Sequence, residues 1–447
     1  MASAPLVRGF DAGVTFAYRQ GRCISIEHFL RDVSRLAASL PDRQYLLNLC
    51  ADRYHFAVGF AAALLRRQVN LLPPNETPDL IERLADQYPG IYCLSDRPTG
   101  LTSLEAMLFP ELGDPDGATA PPVPGVPESQ VAAIVFTSGS TGQPVPYHKS
   151  WGSLVRVARS EIEMLGLDAL PGMVIVGTVP SQHVFGLEAT VLTVMQGGMA
   201  LCAHRPFYPA DIRTELASLP RPRSLVTTPV HLRVLLAEPE DLPPVDFLLC
   251  ATAPLSPQLA AQAEARFAAP LYEIYGCTES GGIAVRRTVE TGEWRAMREV
   301  KLRTDGEQTW VKGGHVEIEV PLADVIELRG SGNFVLHGRT ADLVNIAGKR
   351  TSLAHLNYHL NSIEGVHDGA FVVPEQEAAA VTRLTAYVVA PTLGSETLMD
   401  ALRQRIDAAF LPRPLHFVHA LPRNEMGKLP LHSLVEFEAE LAGRMTG

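Results

Sequence analysis

Residues 45–72 read YLLNLCADRYHFAVGFAAALLRRQVNLL. Tyr45–Cys50 predicts a strand, Phe56–Arg67 an apolar helix and Val69–Leu72 a second short strand. The strand runs lack polar alternation, so both faces of their sheet are expected to be covered, as in a layered α/β fold. The same pattern continues at VAAIVFT (131–137), MVIVGTV (173–179), FLLCAT (247–252) and LYEIYG (271–276). Between the last two, Ser256 followed by Pro257 predicts an N-cap and first turn for a helix running to Phe267. Residues 110–128, PELGDPDGATAPPVPGVPE, are too rich in proline and glycine for a helix or central strand and predict a surface connection. No repeat of fixed period is present.

A chain of 447 residues exceeds one compact core and predicts a large domain with a smaller one. Hydrophobic residues make up 46% and charged residues 19%, which leaves ample apolar surface to bury. The net charge of −11 opposes a nucleic-acid binder, because neutralising phosphates needs a basic face. The opening MASAPLVRGFDAG lacks the basic-then-apolar order of a signal peptide, and the apolar run at 56–65 stops at Arg66 and Arg67, so a cytoplasmic protein without a membrane span is expected. Six scattered cysteines without a CxxC pair read mostly as small buried hydrophobes. His355 and His359 have helical metal-pair spacing but no acidic residue between them, which favours an ordinary helix face.

Chemistry-bearing residues cluster in four segments. Thr137-Ser138-Gly139-Ser140-Thr141-Gly142 follows a strand directly and offers the backbone N–H groups and hydroxyls that cradle phosphates, though such a run can also be a plain loop. It is not a GxxxxGK[ST] sequence, which sets aside a P-loop enzyme. Tyr275-Gly276-Cys277-Thr278-Glu279 again follows a strand and puts a hydroxyl beside a carboxylate, suited to a phosphate oxygen and its Mg²⁺. Gly338-Arg339-Thr340-Ala341-Asp342 stands 14 residues after Asp324, with Gly332 marking a turn between. Pro422–Lys428 (PRNEMGK) puts one lysine in a glycine-containing loop.

In this order and spacing, the four segments resemble the adenylate-forming superfamily of acyl-CoA synthetases, aryl-CoA ligases, peptide synthetase adenylation domains and luciferases, over residues 45–434. The resemblance implies a large layered α/β N-terminal domain (1–338) and a smaller mobile α+β C-terminal domain (339–447) hinged at 339–342. It implies that Thr137–Gly142 embraces the β- and γ-phosphates of ATP, Thr278 contacts the α-phosphate and Glu279 holds Mg²⁺. Tyr275 would lie near adenine beside Thr252, Ala253 and Pro254; Asp324 would accept both ribose hydroxyls, supported by Arg339. Lys428 would stabilise charge developing between the substrate carboxylate and the α-phosphate. His183, in PSQHVFGLE, would line the acyl tunnel with Val184, Thr252, Gly276 and Gly281; a core role for His183 is the alternative. The implied reaction has two steps, carboxylate attack giving acyl-AMP and pyrophosphate, then thiol attack on the mixed anhydride.

Departures from the family pattern are Val145 where lysine usually follows the proline, with Lys149 the nearest lysine, Ala341 at the hinge, and Leu431 in place of an arginine. The phosphate loop is taken to extend through GQPVPYHKSW and to rely on backbone and hydroxyls. Val184 stands where amino-acid-activating relatives carry an aspartate, so a free amino acid would lack its partner. The expected substrate is a compact aryl acid or an acyl chain. The resemblance extends to ligases of aryl polyene and xanthomonadin-type pigment clusters, which load 4-hydroxybenzoate or a related acid onto an acyl carrier protein; CoA is the competing acceptor. Alternatives are a fatty or short-chain acyl-CoA synthetase, a non-catalytic nucleotide-binding relative, and an acyl hydrolase using Ser138 or Ser140, which lacks a GxSxG elbow.

Overall fold

Consecutive leucines in the strand Tyr45–Asn48 enter different cores. Leu46 packs with Phe56, Phe60 and Val135 on one face, while Leu47 packs with Leu80, Ile81 and Leu84 on the other. Opposite-pointing side chains on a strand buried on both faces require two covering layers. The computed structural model describes residues 2–9, 13–101, 103–112, 121–138, 144–305, 308–330, 332–339, 343–346, 349–373, 383–424, 429 and 431–445.

Two sheets enclose the main core. The first has six strands in the order Pro144–Ser150, Val131–Ser138, Val69–Leu72, Tyr45–Asn48, Tyr92–Ser95 and Glu105–Leu108. All pairs are parallel except the first, which is an antiparallel hairpin. The second sheet has eleven strands. Its parallel centre runs Leu271–Cys277, Phe247–Cys250, Arg223–Thr227, Val174–Gly177, Ala200–Cys202, Thr15–Arg19, and its antiparallel flank runs from Leu271–Cys277 through Gly281–Arg286, Trp294–Ala296 and Asn333–Arg339 to Asp324–Arg329.

Alternation again sets the layers. Ile175, Val226 and Leu249 face the core between the sheets, whereas Val176, Leu225 and Leu248 face the helices Pro209–Ser218, Pro229–Ala237 and Pro257–Phe267. Arg53–Leu65 and Trp151–Leu165 fill the space between the sheets, which is why the first is apolar around its whole circumference. Ser256 caps Pro257–Phe267, accepting from the Leu259 N–H at 3.2 Å, as the Ser-Pro pair predicts.

A separate core begins at Val344. Leu356, Leu360, Phe371, Ala386, Val388, Leu398, Leu402 and Phe410 pack around the sheet Asp368–Val372, Thr385–Val389, Leu415–Phe417 and the helices Leu353–Asn361 and Ser395–Arg403. The chain is therefore a large layered α/β unit followed by a smaller α+β one. Within the proline-rich connection, Gly125–Pro127 pairs with Ser3–Pro5 as a two-stranded ribbon. Residues 144–150, taken from sequence as loop, are instead a strand. Its prolines are tolerated because it lies on the sheet edge, where not every N–H is needed for the ladder. Cys50, Cys93, Cys202 and Cys250 are buried and unpaired. No helix among the described residues is long and apolar enough to cross a membrane.

Candidate active site

In parallel sheets, ligands gather at the carboxyl ends of the strands. Here those ends carry the sequence-predicted segments. The hairpin formed by Leu271–Cys277 and Gly281–Arg286 pairs Gly276 with Gly282 and Cys277 with Gly281, leaving Thr278, Glu279 and Ser280 at its tip. Glycine at 276 is compulsory: a Cβ there would lie 2.1 Å from the Gly281 carbonyl oxygen, and Gly281 itself has φ +77°. The Ser280 hydroxyl accepts from the Cys277 N–H at 3.3 Å and tightens the turn. Cys277 is no thiolate nucleophile, since burial, helped by the Glu279 charge, pushes its thiol up to about 12.

The Tyr275 hydroxyl donates to Asp324 Oδ2 at 2.8 Å, and the ring packs against Trp294 and Phe334 at centroid distances of 5.5 and 5.7 Å. Asp324 stands directly opposite Arg339 in the antiparallel pair that turns at Gly332. Three residues assigned from separate segments to adenine and ribose thus share one sheet flank. Ala251–Pro254 continues from Phe247–Cys250, the parallel neighbour of Leu271–Cys277, and Thr252 holds a left-handed φ of +83°. Such a conformation costs a β-branched residue on the order of 1–3 kcal/mol and tends to persist at binding sites.

His183 ends the Pro180–Gln182 turn and precedes the short helix Val184–Gly186, where a Cβ on Gly186 would strike the Pro180 carbonyl at 1.8 Å. His183, Val184, Gln182 and Thr278 line a cleft with Leu72, Pro73, Pro74, Val135 and Phe136, drawn from the ends of both sheets. Its volume of about 10 Å³ is near that of one water. Thr137 and Ser138 end their strand, with Thr137 opposite Val145. Gly139, Ser140, Thr141, Gly142, Ala341 and Lys428 lie outside the described residues, while Leu431 begins the helix Leu431–Met445.

Four buried ionisable groups beside the Thr278–Glu279 turn were not singled out for roles from sequence: Lys149, Glu161, Glu188 and His315. Lys149, the lysine nearest the phosphate segment in sequence, points to the Thr278–Glu279 turn. Its Nζ donates to the Glu279 carbonyl at 2.6 Å. Burial pulls its ammonium below the usual lysine range, opposed chiefly by the Glu188 charge. Only the interruption of apolar helical patterns by Glu161 and Glu188 could have flagged the cluster.

The donor set suits a nucleotide and Mg²⁺. Asp324 offers two acceptor oxygens for a diol, and Thr278 and Glu279 present a hydroxyl and a carboxylate side by side. Among the described residues no three His, Cys, Asp or Glu side chains converge as a metal-binding group. Mg²⁺ needs none, because one or two carboxylates plus substrate phosphates hold it.

Comparison with known proteins gives the family and the fold. The AMP-binding enzyme family model matches residues 37–325. A 4-coumarate–CoA ligase of Rhodobacter capsulatus is 31% identical over 310 residues, covering 67% of this chain and 75% of that protein. An indoleacetate–CoA ligase of Aromatoleum aromaticum is 24% identical over 373 residues, covering 74% and 71%. The fold matches ATP-bound MatB from Rhodopseudomonas palustris with a TM-score of 0.80 at 19% identity, over 95% of each chain. The chain belongs to the AMP-binding enzyme family and is an AMP-forming acid–thiol ligase.

Proposed function

We propose that the chain activates an aryl acid, 4-hydroxybenzoate or a close relative, as acyl-AMP and passes the acyl group to the phosphopantetheine thiol of an acyl carrier protein, with CoA as the competing acceptor. The observation that carries the choice of acid is the cleft beside Thr278. Its walls include Leu72, Val135, Phe136 and Val184, with His183, Gln182 and Thr278 as polar groups and, among the described residues, no carboxylate to receive a substrate ammonium. At about 10 Å³ the cleft is closed here, and a ring would enter only as these apolar side chains part, with His183 and Gln182 left to meet one polar substituent. The aromatic acids in the names of the 4-coumarate and indoleacetate ligases support the same class.

In this reading Asp324 and Arg339 anchor the ribose, Tyr275 and the Thr252–Pro254 loop flank the adenine, Thr278 contacts the α-phosphate and Thr137–Gly142 enclose the outer phosphates. Mg²⁺ held by Glu279 would neutralise phosphate charge. Lys428 approaches from the smaller domain, 339–447, which turns on residues 339–342 against the domain 1–338. Its ammonium lowers the barrier by meeting charge that grows only as the phosphate bond breaks.

The test is pyrophosphate release with ATP, Mg²⁺ and panels of aryl, fatty and amino acids, followed by thioester formation with CoA and with holo carrier protein. Selective release with aryl acids, a loss of at least about a hundredfold in Lys428→Ala, and faster loading of carrier protein than CoA are expected. Equal turnover of fatty acids would contradict the acid assignment; preference for CoA would contradict the acceptor.

A further inference from the structure

The turn that carries Thr278 and Glu279 is held by buried side chains from two other elements, with a third packed behind it. Lys149, at the end of the edge strand Pro144–Ser150, donates to the Glu279 carbonyl at 2.6 Å. Glu188 accepts from the Gly282 N–H at 3.0 Å through Oε2, and a Cβ on Gly281 would meet its Oε1 at 2.5 Å. Glu161, on Trp151–Leu165, lies just behind, where a Cβ on Gly282 would meet its Oε1 at 3.0 Å. Glycine at 281 and 282 is therefore what lets two carboxylates reach the hairpin backbone.

Glu188 is aimed there by a single π-helical segment, Leu187–Leu192. The hydroxyl of Thr193, which follows the segment, donates to the Glu188 carbonyl at 2.7 Å, five residues back, and lies 3.4 Å from Glu161 Oε2. Wide turns of this kind are rare and recur at functional sites, because they rotate one side chain out of the regular helix face. Burial pulls the Lys149 ammonium down and pushes the Glu188 carboxyl up to about 7, each opposed by the other's charge, and burial with the Glu188 charge pushes the Glu161 carboxyl well above its ordinary range.

We infer that Lys149 and Glu188 are positioning residues for adenylate formation: together they fix both ends of the 278–282 turn and so hold the Thr278 hydroxyl and Glu279 carboxylate at the α-phosphate and its metal. The inference rests on the nucleotide role given above to Thr278 and Glu279. Neither Lys149 nor Glu188 touches the reacting atoms. Their removal acts on geometry, which should appear in kcat for the first half-reaction.

Removing one charge strands the other in the interior, so Lys149→Met and Glu188→Met alone can fail by unfolding. The double variant Lys149→Met/Glu188→Met removes both charges with side chains of comparable length, and a buried pair replaced in this way commonly keeps stability. For the double variant we expect a melting midpoint near wild type, kcat for pyrophosphate release down about tenfold or more, KM for ATP changed less, and thioester formation from pre-made acyl-adenylate within about threefold. A double variant that folds and releases pyrophosphate at the wild-type rate overturns the inference, as does one whose two half-reactions fall equally. If the double variant is unstable, Lys149→Arg decides: retention of kcat within about threefold supports the brace, and loss equal to that of Lys149→Met overturns it. Glu279→Gln is run beside them. If it keeps full pyrophosphate release the nucleotide role of the turn fails, whereas loss in Glu279→Gln with an active double variant sinks the positioning inference alone.

Discussion

Tyr275 ties two motifs that lie 49 residues apart through one hydrogen bond of 2.8 Å to Asp324. A phenol held against a carboxylate fixes the orientation of that carboxylate. Tyr275→Phe removes the bond without emptying the ring's place against Trp294 and Phe334, and a net hydrogen bond of about 1 kcal/mol corresponds to roughly a fivefold rise in KM for ATP. Steady-state kinetics at saturating acid measure this, with kcat changing less than KM. His315 gives a pH signature. Burial, then the Lys149 and Arg156 charges, pull its imidazole down to about 4, and its Nε2 has no hydrogen-bond partner among the described residues. The folded value lies below the unfolded 6.5, so the ring's stability contribution is present above pH 6.5 and is lost as pH falls towards 4. Across that window wild type should lose up to about 3 kcal/mol more than His315→Leu in denaturant titrations. The sequence displayed Tyr275 and Asp324 because their chemistry sits in short ordered motifs. It hid His315, whose meaning comes from what buries it.

Among the elements, Arg53 shows how a helix start can hold a sheet end. Its side chain is wholly buried at the carboxyl ends of two parallel strands, donating to the carbonyls of Gly177 (3.2 Å), Val179 (2.8 Å) and Cys202 (3.4 Å) and to the Ser181 hydroxyl (3.3 Å). Burial pulls its guanidinium down to about 10, yet it stays charged at neutral pH. The Pro180–Gln182 turn before His183 hangs from these bonds. Arg53→Met leaves several buried carbonyls without a donor and should cost about 3 kcal/mol or more in equilibrium unfolding. Parallel strands such as Val174–Gly177 and Phe247–Cys250 were legible because strands covered on both faces are continuously apolar. The edge strand Pro144–Ser150 was not, since its prolines read as loop until its place on the sheet edge is known. The π-helical Leu187–Leu192 has no local signature, and it is met only with the Glu188 contact to Gly282, a partner 94 residues away.

For the whole molecule, the two units meet at an ionic contact. Asp368, on the first strand of the smaller sheet, is held by Arg423 at 2.7 and 2.9 Å and by Arg233 of the large unit at 3.3 Å. Asp368→Ala sets two arginines facing one another with no anion between. Limited proteolysis between the units should accelerate several-fold while the melting of the large unit stays unchanged, and unchanged cleavage would mean that the contact does not hold the units together. The presence of two unequal units could be read from length and motif order. Their contact could not, because the arginines and the aspartate that form it are unremarkable surface residues in the sequence.

The central claim is that the carboxylate attacks the α-phosphate of ATP, and the fate of a carboxylate oxygen tests it most directly. With 4-hydroxybenzoate labelled with ¹⁸O in its carboxylate, the attacking oxygen becomes bonded to the α-phosphorus and stays with AMP when the thiol takes the acyl carbon. Mass spectrometry after one complete turnover should find one labelled oxygen in AMP and none in pyrophosphate. Label in inorganic phosphate with ADP as co-product, or thioester formed without label transfer to AMP, would contradict the account.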